Sequence, residues 1–203
     1  MNRIWDKYIG LDDADVLSAA GYNNPIGFGN RPAILVIDAN YNFTGDRREP
    51  IRESIKTWPN ACGDAAWDAL PKIKEILDVA HARNMPVFFS TDDYREDGWN
   101  LGSWKWKTSR FQDEQVAAKR SSLNGSEIND AIKPHSSDII IKKLKPSVFN
   151  GTPLRQLLTL LKVDTTIIAG GTTSGCDHRP LCGRSAWCSK AWPPSRSTHR
   201  PAP

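Results

Sequence analysis

Four short apolar runs punctuate an otherwise polar chain: Ala33 to Asp38 (A-I-L-V-I-D), Pro86 to Thr91 (P-V-F-F-S-T), Asp138 to Lys142 (D-I-I-I-K) and Thr165 to Gly170 (T-T-I-I-A-G). They are continuous rather than alternating, and rich in β-branched or aromatic residues, which predicts strands covered on both faces. Between them the period lengthens. Ala65 to Arg83 places Ala69, Ile73, Ile76, Leu77 and Ala80 three and four residues apart. Pro153 to Leu161 does the same with Leu154, Leu157, Leu158 and Leu161, behind Thr152 as a candidate N-cap. Strand, helix and strand in repeated succession predict an α/β fold: a three-layer, Rossmann-like parallel sheet with helices on both faces.

The pattern divides the chain into three parts. Residues 1–30 predict an arm with a short helix around Asp12 to Ala20, residues 31–176 a single domain, and residues 177–203 a tail of different composition. A chain of 203 residues has room for one sizeable core and not comfortably for two. Two long connections, Asn40 to Asp64 and Asp92 to Arg110, hold Trp58, Trp99, Trp104 and Trp106. Both emerge beyond the carboxyl ends of strands, where ligands bind in open α/β sheets. These tryptophans are expected either to line a ligand site or to pad a subunit interface, and the chain is expected to form a homo-oligomer.

Charge changes this picture only at the end of the chain. The net charge of +4 resides in the tail, where Arg179, Arg184, Lys190, Arg196 and Arg200 face Asp177 alone. The preceding 176 residues carry 22 basic and 22 acidic side chains, so no nucleic-acid partner is expected. No stretch reaches the roughly 20 apolar residues of a membrane span, and M-N-R-I-W-D-K-Y lacks the apolar segment of a secretory signal. The expectation is a cytoplasmic protein without a membrane partner, whose Cys62, Cys176, Cys182 and Cys188 are thiols. The spacing of Cys176, His178, Cys182 and Cys188 matches no common structural zinc site, and neither a metal nor a cofactor is expected.

Three strand ends deliver reactive side chains. Asp38 closes the first run, Lys143 follows the third, and Cys176 lies in the loop G-G-T-T-S-G-C after the fourth. In a parallel sheet these ends share one edge. A thiol attacks a carbonyl carbon as the thiolate, so it needs a positive charge nearby and an acceptor for its proton. A buried lysine supplies the first and an aspartate the second. The aspartate could then protonate a leaving amine and activate water, while backbone N–H groups of the glycine-rich loop face the developing oxyanion.

These residues resemble the isochorismatase-like cysteine hydrolases, a family that includes N-carbamoylsarcosine amidases and nicotinamidases. The resemblance runs from about Pro32 to Cys176 and rests on P-A-I-L-V-I-D-A-N-Y-N-F at 32–43, K-K-L-K-P-S-V-F-N-G-T-P-L at 142–154, and D-T-T-I-I-A-G-G-T-T-S-G-C at 164–176. It implies that Asp38 is the base, Lys143 the thiol-activating lysine and Cys176 the nucleophile. It further implies a cis peptide bond between Gly171 and Thr172, with the N–H groups of Thr172 and Cys176 forming the oxyanion hole. Phe43, Trp99 and Trp104 are the expected substrate-binding side chains. Relatives that cleave enol ethers lack the cysteine, so Cys176 implies hydrolysis of a small amide or carbamoyl C–N bond through a thioester. The rival expectation is a non-catalytic member of the fold, acting through its aromatic loops. S-T-D-D-Y-R-E-D-G at 90–98 lacks the D-x-H metal motif of nicotinamidases, and Asn40 and Asn42 stand where the family has Gln and Asp.

Family members continue after the cysteine with a long helix and at least one more strand. The tail instead holds five of the 14 prolines and no β-branched run. The expectation is a changed reading frame after Cys176, a sheet lacking its last strand or strands, and a chain that folds and hydrolyses less well than one with the family's C-terminus.

Overall fold

The computed structural model describes residues 8–22, 27–93, 95, 97–99, 122–172 and 176. In chain order they form α1 (Leu11–Ala19), β1 (Pro32–Ile37), α2 (Tyr41–Thr44), α3 (Ile51–Thr57), α4 (Asp64–Ala82), β2 (Val87–Asp92), a 3-10 turn (Asp130–Ile132), β3 (Ile139–Lys143), α5 (Leu154–Leu160) and β4 (Thr165–Gly170). Every strand begins and ends within one residue of the apolar run that predicted it. The order across the sheet is β3-β2-β1-β4, and all three pairings are parallel.

The register explains why the runs do not alternate. In β1, Ile34 and Val36 face one side and pack with Val87, Phe89 and Ala169 beneath Leu70, Ile73, Leu77 and Ala80 of α4. Leu35 and Ile37 face the other side, with Phe88, Ile141 and Ile168 beneath Val148 and Leu154. Both faces of the central strands are therefore dry, and every position gains from being apolar. The buried stripe of α4 is Ala66, Leu70, Ile73, Leu77 and Ala80; Ala69 and Ile76 from the predicted stripe lie at its margin, partly buried against the same cluster. Pro153 rather than Thr152 takes the N-cap position of α5, while the Thr152 hydroxyl accepts the Leu154 N–H at 3.3 Å.

One expectation about side chains is corrected. Trp58 is not loop surface: α2 and α3 fold its connection back on itself, and the indole is 1% exposed in a small core with Tyr41 and Ala61. His81, near the end of α4, is largely buried. Its Nε2 lies 2.9 Å from Asp138, and its ring stacks on His135 at 3.8 Å, tying the end of α4 to the start of β3. Helix α1 buries none of its residues, and Leu11 and Val16 are exposed.

Among the described residues β3 and β4 are the two edges of the sheet. The expected change of frame and missing strand concern residues 177–203, which lie outside the described residues. Gly170 closes β4 at φ 115°, and a Cβ there would stand 2.0 Å from the Ile37 carbonyl oxygen. Only glycine lets the chain pass this close to β1. The Gly171 N–H then donates to the same oxygen at 2.8 Å, and the Gly171–Thr172 peptide bond is cis, as the resemblance implied.

Candidate active site

Residue parity brings the strand ends together. Ser90, Asp92, Ile141 and Lys143 share one face of the sheet, because Ile141 pairs with Ser90 and Lys143 with Asp92. Ile141 belongs to the core beneath α5, so Lys143 continues that core to the carboxyl edge with a charged tip. Asp38 follows β1 in the left-handed region at φ 49°, with its N–H on the Ser90 carbonyl at 3.2 Å. Ser90 Oγ donates to Asp38 Oδ1 at 3.1 Å.

The three predicted residues meet. Lys143 Nζ donates to Asp38 Oδ2 at 2.7 Å and to Cys176 Sγ at 3.7 Å. The lysine and aspartate side chains are 3% and 0% exposed, and Cys176 is half-buried against the core beneath α5. A buried ion pair costs desolvation on both sides, so its partners depend on each other. Burial pushes the Cys176 thiol up to about 12, the Asp38 carboxylate pushes the same way, and the Lys143 ammonium opposes them. Burial alone would lower Lys143, but Asp38, Cys176 and Asp92 outweigh it and hold the ammonium above its ordinary range. The site at rest therefore holds a protonated thiol beside a firmly cationic lysine.

The remaining predicted residues are spread more widely. Thr172 follows the cis bond at the end of β4, while residues 173–175 of the loop lie outside the described residues. Phe43 is half-buried in α2, on the segment that leaves Asp38. Trp99 is 77% exposed with the Arg95 guanidinium 5.6 Å from its ring centre. Trp104 and Trp106 lie outside the described residues.

Sequence reasoning missed Asp92. It ends β2 beside Lys143 and is 7% exposed. Asn42 Nδ2 and Asn40 Nδ2 reach its Oδ2 at 3.3 and 3.4 Å. Asn40 Nδ2 also donates to Thr91 Oγ1 at 3.0 Å, and the Thr91 hydroxyl donates to the Ser126 carbonyl. The rule that located Asp38 and Lys143, a charged residue closing an apolar strand, applies equally to Asp92 in F-F-S-T-D-D. The segment that pins Asn40 and Asn42 carried no such signal. It pairs with them through the backbone, by the Asn40–Ile128 bridge and the Asn42 N–H on Gly125. Among the described residues, no three His, Cys, Asp or Glu side chains are grouped to hold a metal ion, and no helix is long and apolar enough to cross a membrane.

A parallel sheet with a carboxylate, an ammonium and a thiol converging on its carboxyl edge defines a class of α/β protein, and the chain's relatives place it within that class. The isochorismatase domain family matches residues 32–179, and the chain belongs to this family. It is 30% identical over 166 residues to an N-carbamoylsarcosine amidase of Arthrobacter sp, covering 79% of this chain and 56% of that protein. It is 26% identical over 154 residues to a maleamate amidohydrolase of Pseudomonas putida, covering 74% and 64%. The chain thus spans little more than half the length of the first relative and under two thirds of the second. A cysteine hydrolase of Pseudomonas syringae pv. phaseolicola shares its fold, with a TM-score of 0.57 at 25% identity over 76% of this chain and 67% of that one.

Proposed function

We propose that this chain is a cysteine amidohydrolase that cleaves a small, linear amide or N-carbamoyl C–N bond through a thioester on Cys176. The observation that carries the reading is the Lys143 ammonium, buried between the Asp38 carboxylate at 2.7 Å and the Cys176 sulfur at 3.7 Å. The names of the two relatives, both amidases, point to the same class of bond.

Asp38 takes the thiol proton as the sulfur attacks the carbonyl carbon, and the tetrahedral oxyanion forms facing the N–H groups of Thr172 and Cys176. A thiol raised to about 12 makes this transfer part of the attack rather than a step before it. Lys143 stabilises the sulfur as its charge develops. The C–N bond then breaks, Asp38 returns the proton to the leaving nitrogen, and the acyl group remains on sulfur. Asp38 next takes a proton from water, the resulting hydroxide attacks the thioester, and as the C–S bond breaks and the acid leaves, Asp38 returns that proton to the sulfur. No resident metal or cofactor enters this sequence. Phe43, Trp99 and Trp104 are the candidates to line the substrate. The protein works in the cytoplasm and as a homo-oligomer, and the exposed Leu11 and Val16 of α1 support the second part of this reading.

The experiment is a screen of N-carbamoyl amino acids and linear amides, with ammonia release as readout and intact-protein mass spectrometry to catch the acyl adduct. Turnover that Cys176→Ala abolishes, with an adduct on Cys176, supports the reading. Turnover that survives Cys176→Ala overturns it, as does a folded protein inert toward every compound.

A further inference from the structure

The buried site holds two carboxylates for one ammonium, and the proposed reaction uses only one of them. Asp92 lies directly across from Lys143 in the β2–β3 register, on the same face of the sheet and 7% exposed. Its Oδ2 faces the side-chain amides of Asn40 and Asn42, at 3.4 and 3.3 Å. Both asparagines sit on the segment that also carries Asp38, so the two carboxylates are oriented by one stretch of backbone. Next to this pair along the chain, Lys142 and Asp93 form a separate, exposed ion pair at 3.1 Å.

During the proposed cycle Asp38 becomes neutral twice, once with the thiol proton and once with a proton from water. In those states a buried ammonium would lose its principal counterion, and burial favours the uncharged amine. Asp92 is the second carboxylate acting on that ammonium, and the proposed cycle passes no proton through it. Resting on the amidase reading above, we propose that Asp92 is a positioning residue for that reaction: it holds Lys143 charged and aimed at Cys176 while Asp38 carries the proton. The arrangement has a cost, because the same negative charge opposes thiolate formation. Asp92 acts on both groups in these directions, supporting the lysine and raising the thiol.

That opposition makes the role separable from a structural one. Asp92→Asn removes the charge at nearly constant shape. The pH midpoint of Cys176 alkylation by iodoacetamide should fall by about one unit, which is tenfold in thiolate at fixed pH. In the same variant kcat for amide hydrolysis should fall about tenfold, and the alkaline limb of its pH profile should move to lower pH. Asp92→Glu, which retains the charge, should restore the alkylation midpoint. A side chain that merely supports the fold would lower alkylation and turnover together, and that outcome overturns the proposal. So does faster alkylation with unchanged kcat. If Asp92→Asn fails to fold, Asp92→Ser is read in the same way. The midpoint needs no substrate, so a midpoint that stays in place overturns the proposal whether or not amides are hydrolysed. Absence of turnover in the unsubstituted protein overturns the amidase reading instead, and Asp92 is then judged by the midpoint alone.

Discussion

Lys143 and Asp38 are 105 residues apart in the chain, yet their ammonium and carboxylate meet at 2.7 Å beneath the surface. Each of these strand ends is the nearest counterion of the other, and this mutual dependence yields the first prediction. Asp38→Asn should lower stability by about 3–5 kcal/mol, because it removes the hydrogen-bonded partner of a buried cation. With Asp38 gone, Lys143 loses the carboxylate that raises its pKa most, and that pKa falls while Asp92 still supports the charge. Amide hydrolysis should drop by about 100-fold or more, the usual contribution of a positioned acid–base group. Urea denaturation and steady-state kinetics on the same preparation check both. Unchanged stability would show that the pair is not the buried contact described.

The raised thiol predicts a pH dependence of stability. Cys176 moves from an ordinary 9.0 to about 12 on folding, so between these values the folded state holds a proton that the unfolded state has released. Stability from this group is fully present below pH 9 and is lost as pH rises towards 12. Urea midpoints should therefore fall more steeply over that window in the unsubstituted protein than in Cys176→Ala. Parallel curves would contradict the buried, protonated thiol.

Gly170→Ala tests how closely β4 approaches β1. The added methyl would stand 2.0 Å from the Ile37 carbonyl oxygen at a φ of 115°. We expect a loss of about 2–4 kcal/mol, an overpacking cost added to a backbone one. Hydrolysis should also fall, since the loop that carries Cys176 starts here. Thermal unfolding and ammonia release measure the two effects.

Leu154 tests the support beneath the site. It is fully buried where α5 meets the face that carries Lys143. Leu154→Ala should cost about 2–5 kcal/mol in urea unfolding, through lost transfer energy and the cavity left behind. Leu160→Ala, on the exposed side of the same helix at 75% exposure, should change stability by less than about 0.5 kcal/mol.

The sheet was legible in the sequence because burial on both faces leaves a mark at every position: Ile34 to Ile37 face alternate cores, and all four are apolar. Helix α4 was legible through its three- and four-residue spacing, although its buried stripe runs through Ala66 and Leu70 rather than Ala69 and Ile76. Asp38, Lys143 and Cys176 could be found because each stands at or beyond the carboxyl end of a strand, where parallel topology gathers side chains at one edge. Trp58 could not be placed in the same way. Its burial depends on how α2 and α3 turn back on each other, which no local period records.

What the sequence determined by itself was which residues must be dry and at which end of the sheet the charged ones emerge, since both follow from spacing within a few residues. What only the tertiary structure decided was the company those charges keep. Whether Asp92 sits beside Lys143 depends on a β2–β3 register set by residues 47 positions or more away, and the hold of Asn40 and Asn42 on Asp92 depends on backbone pairing with residues 125–128. Electrostatic energy depends on distance and burial, and across such separations both are properties of the folded chain.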